Sequence, residues 1–164
     1  MTALPSLETV IAKLRDLGIA LPGDNVHLDT YGDSEAQSRD QIELIRSGQK
    51  KAGTSLLWTH EREAEPVPRP GDIAIVLDHR NEPVIVTRPI QVDVVPYCDV
   101  TAEYAACEGE GDGSLDYWRE VHWAFFSREC ARIGRTVDPC MPLVCCRFEV
   151  LTIVPEAASV ARMK

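Results

Sequence analysis

Long apolar runs are missing from this 164-residue chain. No stretch approaches the roughly 20 apolar residues that a membrane-spanning helix needs. Glu8, Lys13, Arg15 and Asp16 interrupt every apolar stretch near the start, so no signal peptide is expected and a cytoplasmic location is the default. Basic residues are scarce as well. The 17 lysines and arginines stand against 26 acidic residues, a formal net charge of -9. A surface of that sign disfavours indiscriminate binding to nucleic acid or anionic membrane, so an anionic ligand has to find a local basic cleft. Zinc-ligand spacing is absent too: Cys98, Cys107, Cys130 and Cys140 are isolated, and the adjacent Cys145 and Cys146 point to opposite faces of a strand. The six cysteines are therefore expected to be buried, reduced thiols. Internal repeats and a regular βαβ alternation are lacking, which argues against a solenoid and a doubly wound sheet.

What remains is a composition of 45% hydrophobic and 26% charged residues, enough for one well-packed domain. The expected organisation is a helical extension over 1–25, a domain over 26–154 and a C-terminal tail over 155–164, helical or frayed from Ala157 to Lys164. Ser6 caps an amphipathic stripe of Leu7, Val10, Ile11, Leu14 and Leu17, stopped at Gly18. Val26 to Tyr31 reads as a strand. Ser34 and Gln37 form a capping box for a second helix that ends at Gly48. Thr54 to Trp58 reads as a strand, and Glu61 to Asp72, with three prolines, as a long exposed turn. Ile73 to Leu77 and Val84 to Val86 form a hairpin that continues through Ile90 to Val95, with a bulge or an edge at Pro89. Thr101 to Cys107 is a short helix, Ser114 opens a long helix to about Arg132, and Leu143 to Val154 is the last strand. The fold class expected is α+β, a small mixed or antiparallel barrel with helices packed against it.

Against the acidic background, Gly48-Gln49-Lys50-Lys51-Ala52-Gly53-Thr54-Ser55 reverses the local sign. Two ammonium groups, two hydroxyls and two glycines can hold a phosphate or carboxylate. The simpler alternative is that Lys50 and Lys51 only offset the negative end of the preceding helix dipole. The long helix carries Trp118, His122 and Phe125 or Phe126 on one stripe, which is mainly core, but Tyr117, Trp118, Trp123 and Phe126 cannot share one face. At least one of these aromatics is expected near the surface or the cleft, where a base can stack on it. Glu108, Glu110 and Asp112 partly copy a calcium loop, but Arg119 stands where the closing glutamate belongs. A solvated loop whose carboxylates favour the next helix N-terminus is the simpler reading, and no metal site is assigned.

Several of these segments together resemble the ASCH domain family over residues 26 to 153: Tyr31-Gly32-Asp33-Ser34, the Gly48-x-Lys50 turn leading into Ser55-Leu56-Leu57-Trp58, Pro70-Gly71-Asp72, Glu108-Gly109-Glu110-Gly111-Asp112, and Tyr117-Trp118-Arg119 with His122 to Glu129. The resemblance implies a PUA-like small barrel with flanking helices and a cleft for RNA or a nucleotide-like ligand. It places Lys50, Lys51, Thr54, Ser55, Ser127 and Arg128 in that basic cleft, with Tyr117 and Trp123 as stacking partners. Three activities stay open. One is a ribonuclease on single-stranded RNA in which Lys50 and Ser127 stabilise charge, assisted by loosely held Mn²⁺ or Mg²⁺. Another is hydrolysis of an acylated cytidine, for which similar proteins use a threonine three residues after the lysine and a glutamate on a later strand. Here those positions are Gly53, with Thr54 next to it, and Thr87 or Arg88. The third is an RNA-binding module without chemistry.

Overall fold

The computed structural model describes residues 3–156. Its elements, in chain order, are α1 (Leu7–Asp16), β1 (Val26–Asp29), α2 (Glu35–Arg46), β2 (Ala52–Leu56), α3 (Leu57–Glu63), β3 (Ile73–Leu77), β4 (Pro83–Pro96), α4 (Ala102–Glu108), α5 (Leu115–Arg132) and β5 (Pro142–Ile153). The fold class is α+β, as expected. Most of the tail expected over 155–164 lies outside the described residues.

The strands form one mixed sheet in the order β1-β3-β4-β5-β2. Only β1 and β3 run parallel; the other neighbours are antiparallel. The sheet is not closed, since β1 and β2 remain as its two edges. The barrel expectation is therefore met only loosely. The β4–β5 register slips between Pro89 and Gln91, where proline cannot donate to the ladder, so the bulge falls at the expected place.

Polar caps set the helix starts. The hydroxyls of Ser6, Ser34, Thr101 and Ser114 each accept from a backbone N–H three residues on, at Thr9, Gln37, Tyr104 and Tyr117. Helix α3 differs. It follows β2 without a loop, and Leu56 at its start offers no side-chain cap. It occupies Leu57–Glu63, where the expected strand runs to Trp58 and the exposed turn begins at Glu61.

Alternation along β3 divides the core. Ile73, Ile75 and Leu77 pack with Val10 and Leu14 of α1, while Val76 packs with Ile42 and Ile45 of α2. Helix α1 thus docks on its own domain. A third cluster gathers Leu56, Leu143 and Cys145 with Tyr97, Tyr104, Trp118 and Phe126 under α4 and α5. All six cysteines are free thiols; Cys130 and Cys145 are buried as expected, whereas Cys98 and Cys140 are exposed. Cys145 and Cys146 do take opposite sides, the first in this core and the second at a cavity wall.

Candidate functional site

Lys50 is the largest buried side chain that carries a charge, with only 1% of its surface exposed. Its ammonium lies 2.8 Å from Glu110 Oε1 and 3.3 Å from Glu108 Oε1. Burial alone would lower the lysine pKa, but Glu108 and Glu110 outweigh it and raise it above 10.5. Lys50 is therefore a fixed cation at neutral pH.

Glu108 is buried to the same degree and is the hub of the cluster. Its Oε2 accepts from Thr54 Oγ1 at 3.2 Å and from the indole N–H of Trp118, and it lies 3.1 Å from His122 Nε2. Desolvation pushes its carboxyl up, yet Lys50, His122 and Trp118 prevail and hold it at about 2. His122 Nδ1 lies 2.9 Å from the Trp118 carbonyl, so both ring nitrogens face oxygen acceptors. Its ring also stacks on Trp118, with centroids 4.1 Å apart. Tyr104 closes one side, its hydroxyl 3.0 Å from Thr54 Oγ1 and donating to the Gly53 carbonyl at 2.8 Å. Burial, with Glu108 adding to it, raises that phenol above its ordinary range.

Two chain segments build this cluster, and backbone contacts clamp them together. The Lys51 N–H donates to the Cys107 carbonyl at 2.8 Å, and Gln49 Nε2 donates to the Gly109 carbonyl at 2.7 Å. Gly109 ends α4 at φ +67°, and a Cβ there would collide with the Gln49 carbonyl. Only glycine therefore lets the chain turn so closely that Glu108 and Glu110 both reach Lys50.

The cluster faces a cavity of about 1140 Å³, walled by residues of α2, α3, α5, the 65–69 segment and the sheet. Tyr31, Tyr117, Phe125 and Phe148 give it aromatic surface. Tyr31 passes the Lys50 ammonium at 5.7 Å from its ring centroid, and Gly53 leaves room for it, since a Cβ would approach that ring to 3.3 Å. The aromatic lining and the polar floor are the two halves of a pocket large enough for a nucleotide-sized ligand.

The predicted site residues divide. Lys50, Thr54, Ser55, Arg128 and Tyr117 line the cavity, and Tyr117 is 38% exposed. Lys51, Ser127 and Trp123 do not line it. Lys51 is exposed and contributes its backbone N–H. The Ser127 hydroxyl donates to the Trp123 carbonyl one helical turn back, at 2.6 Å, and Trp123 packs its ring 5.2 Å from that of Tyr97. Nor is the cleft basic. Asp29, Asp40, Glu65, Asp72, Glu108, Glu110 and Glu129 line it against Lys50, Arg69 and Arg128, and Arg128 is itself paired with Asp33 at 3.0 Å. The acidic run 108–112 is not simply solvated either, because Glu108, at the end of α4, and Glu110 hold Lys50; only Asp112 plays the expected part, accepting from the N–H of the α5 cap Ser114 at 2.9 Å.

Glu108, Glu110 and His122 bring their donor atoms within 4.8 Å of one another. The Lys50 ammonium already stands against both carboxylates, so this set is built around a lysine and does not suit Mn²⁺ or Mg²⁺ without displacing it.

The ASCH domain model matches residues 27–152. This chain belongs to the ASCH domain family. An ASCH domain from Lactobacillus crispatus JV V101 is 27% identical and superposes with a TM-score of 0.78, over 92% of this chain and 97% of that one. A protein from Enterococcus faecalis V583 is 29% identical with the same TM-score, over 94% of each chain. No curated protein matches the chain. Among the described residues no helix is long and apolar enough to cross a membrane.

Periodicity and spacing do not mark Glu108 as the buried partner of Lys50, Thr54 and His122. The one sequence signal that bears on it is the acidic run itself, whose first member sits at the end of a helix and not in the loop.

Proposed function

We propose that this ASCH protein binds a nucleobase-bearing ligand, a nucleoside or an unpaired nucleotide of single-stranded RNA, with the base in the cavity and any phosphate outside it. The observation that carries this reading is the buried Lys50, Glu108 and Glu110 group at the floor of an aromatic-lined cavity. Fixed donors and acceptors beneath stacking surfaces suit the edge and face of a base. The excess of lining carboxylates disfavours a phosphate inside, so the affinity should rest on stacking and hydrogen bonds more than on charge. Calorimetric titration with nucleosides and with short single-stranded RNA at low salt tests the reading. Micromolar to millimolar binding of either, lost in Phe125→Ala and Lys50→Met variants that remain folded, is expected; no binding of either class sinks it.

Hydrolysis of an acylated cytidine gains support from one specific observation. Glu108 stands 3.2 Å from the Thr54 hydroxyl and 3.3 Å from Lys50, which supplies the carboxylate that the strand positions Thr87 and Arg88 do not. Thr54 would be the nucleophile and Lys50 the group that stabilises developing negative charge. Release of cytidine from N4-acylated cytidine, abolished in Thr54→Val, would favour this reading over binding alone. The ribonuclease reading draws on Lys50 and Ser127, and Ser127 lies off the cavity.

A further inference from the structure

A second polar pair belongs to the cavity and takes no part in the Lys50 cluster. Ser55 Oγ lies 2.8 Å from His60 Nε2, and both residues line the cavity. Because β2 passes into α3 without a loop, the spacing between them is set by regular backbone on both sides. The other ring nitrogen, His60 Nδ1, is buried and has no hydrogen-bond partner among the described residues.

That orphaned atom bears on the direction of the bond. If His60 carried its proton on Nδ1, a buried N–H would be left without an acceptor. With the proton on Nε2, the unpartnered atom is an acceptor lone pair instead of a donor, and the N–H is used on Ser55. Ser55 Oγ is then the acceptor of that bond, and its own hydrogen has no acceptor among the described residues. We propose that His60 locks Ser55 as a hydrogen-bond donor toward the cavity, where it recognises an acceptor atom of the ligand, a carbonyl oxygen or ring nitrogen of a base. The proposal rests on the nucleobase reading above for the ligand, but not for the lock. Lys50 and Ser55 then present donors from separate parts of the pocket, and the ligand must offer an acceptor to each. His60 is a positioning residue and Ser55 the contact.

Two measurements test this. Long-range ¹H–¹⁵N spectra of the full chain report the His60 tautomer with no ligand present. The Nε2–H form is expected, and the Nδ1–H form overturns the lock. Titrations with cytidine, uridine, guanosine and adenosine then compare the wild type with Ser55→Ala and Ser55→Thr. Loss of about tenfold in affinity in the alanine variant, with the threonine variant close to wild type, is expected for one neutral hydrogen bond. Unchanged affinity in Ser55→Ala overturns the contact. A wild type that binds none of the four overturns the parent reading and the contact with it, while the nitrogen spectrum still decides the lock.

Discussion

Lys50 and Glu108 stand 58 residues apart in sequence and 3.3 Å apart in the interior. Neither could be buried alone, because each would carry an uncompensated charge. The cost of removing one partner therefore exceeds the net worth of the pair.

Lys50→Met should lower the free energy of unfolding by about 3–5 kcal/mol, read from urea denaturation. Combining it with Glu108→Gln and Glu110→Gln should recover a large part of the loss, since the stranded carboxylates disappear. A single substitution with no measurable effect would contradict the buried triad.

Acid should test Glu108 selectively. Its carboxyl is held at about 2 against an ordinary 4.5, a depressed value, so its contribution is complete above about pH 4.5 and is lost as the pH falls toward 2. Glu108→Gln should flatten the dependence of stability on pH across that window. An unchanged slope would mean that other carboxylates carry the acid transition.

Gly109→Ala should destabilise the fold by more than Gly134→Ala. Both glycines have positive φ, at +67° and +75°, so both variants carry the left-handed backbone cost of about 1 kcal/mol. A Cβ at Gly134 meets nothing within 4 Å, whereas at Gly109 it strikes the Gln49 carbonyl. Equal losses in thermal or urea unfolding would show that the clamp between the two segments yields easily.

Ser127→Ala should change neither ligand binding nor stability by more than about 0.5 kcal/mol. Its hydroxyl is spent on the Trp123 carbonyl inside α5. A tenfold loss of nucleoside or RNA affinity in this variant, measured by the same titration, would place the hydroxyl in the site after all.

Local signals were the readable part of this fold. Ser6, Ser34 and Ser114 announce their helices because a cap is a matter of three or four residues, and Pro89 announces the bulge for the same reason. Helix α3 lacks such a mark: Leu56 caps nothing, and the charges and prolines that follow read as a turn. Lys50 could be singled out as a charge of the wrong sign, but its neighbours could not. That Glu108 turns inward and Ser127 turns back on its own helix depends on packing between distant elements and on a side-chain rotamer, neither of which periodicity encodes. The aromatic stripe was legible as mainly core, and Trp118, His122 and Phe126 are buried, while Tyr117 and Phe125 are the aromatics of this helix that line the cavity.

The clamp between residues 49–51 and 107–109 also bears on the order of events as the chain folds. Its backbone bonds and the ion pairs above it close a loop of nearly sixty residues, which contains β3 and β4 entire. Closing so long a loop is entropically expensive until the strands within it have already paired. The hairpin of β3 and β4 should therefore gain protection from hydrogen exchange early in refolding, and the indole N–H of Trp118 late. Competence to bind a ligand should then appear with the last kinetic phase, after most of the sheet is in place.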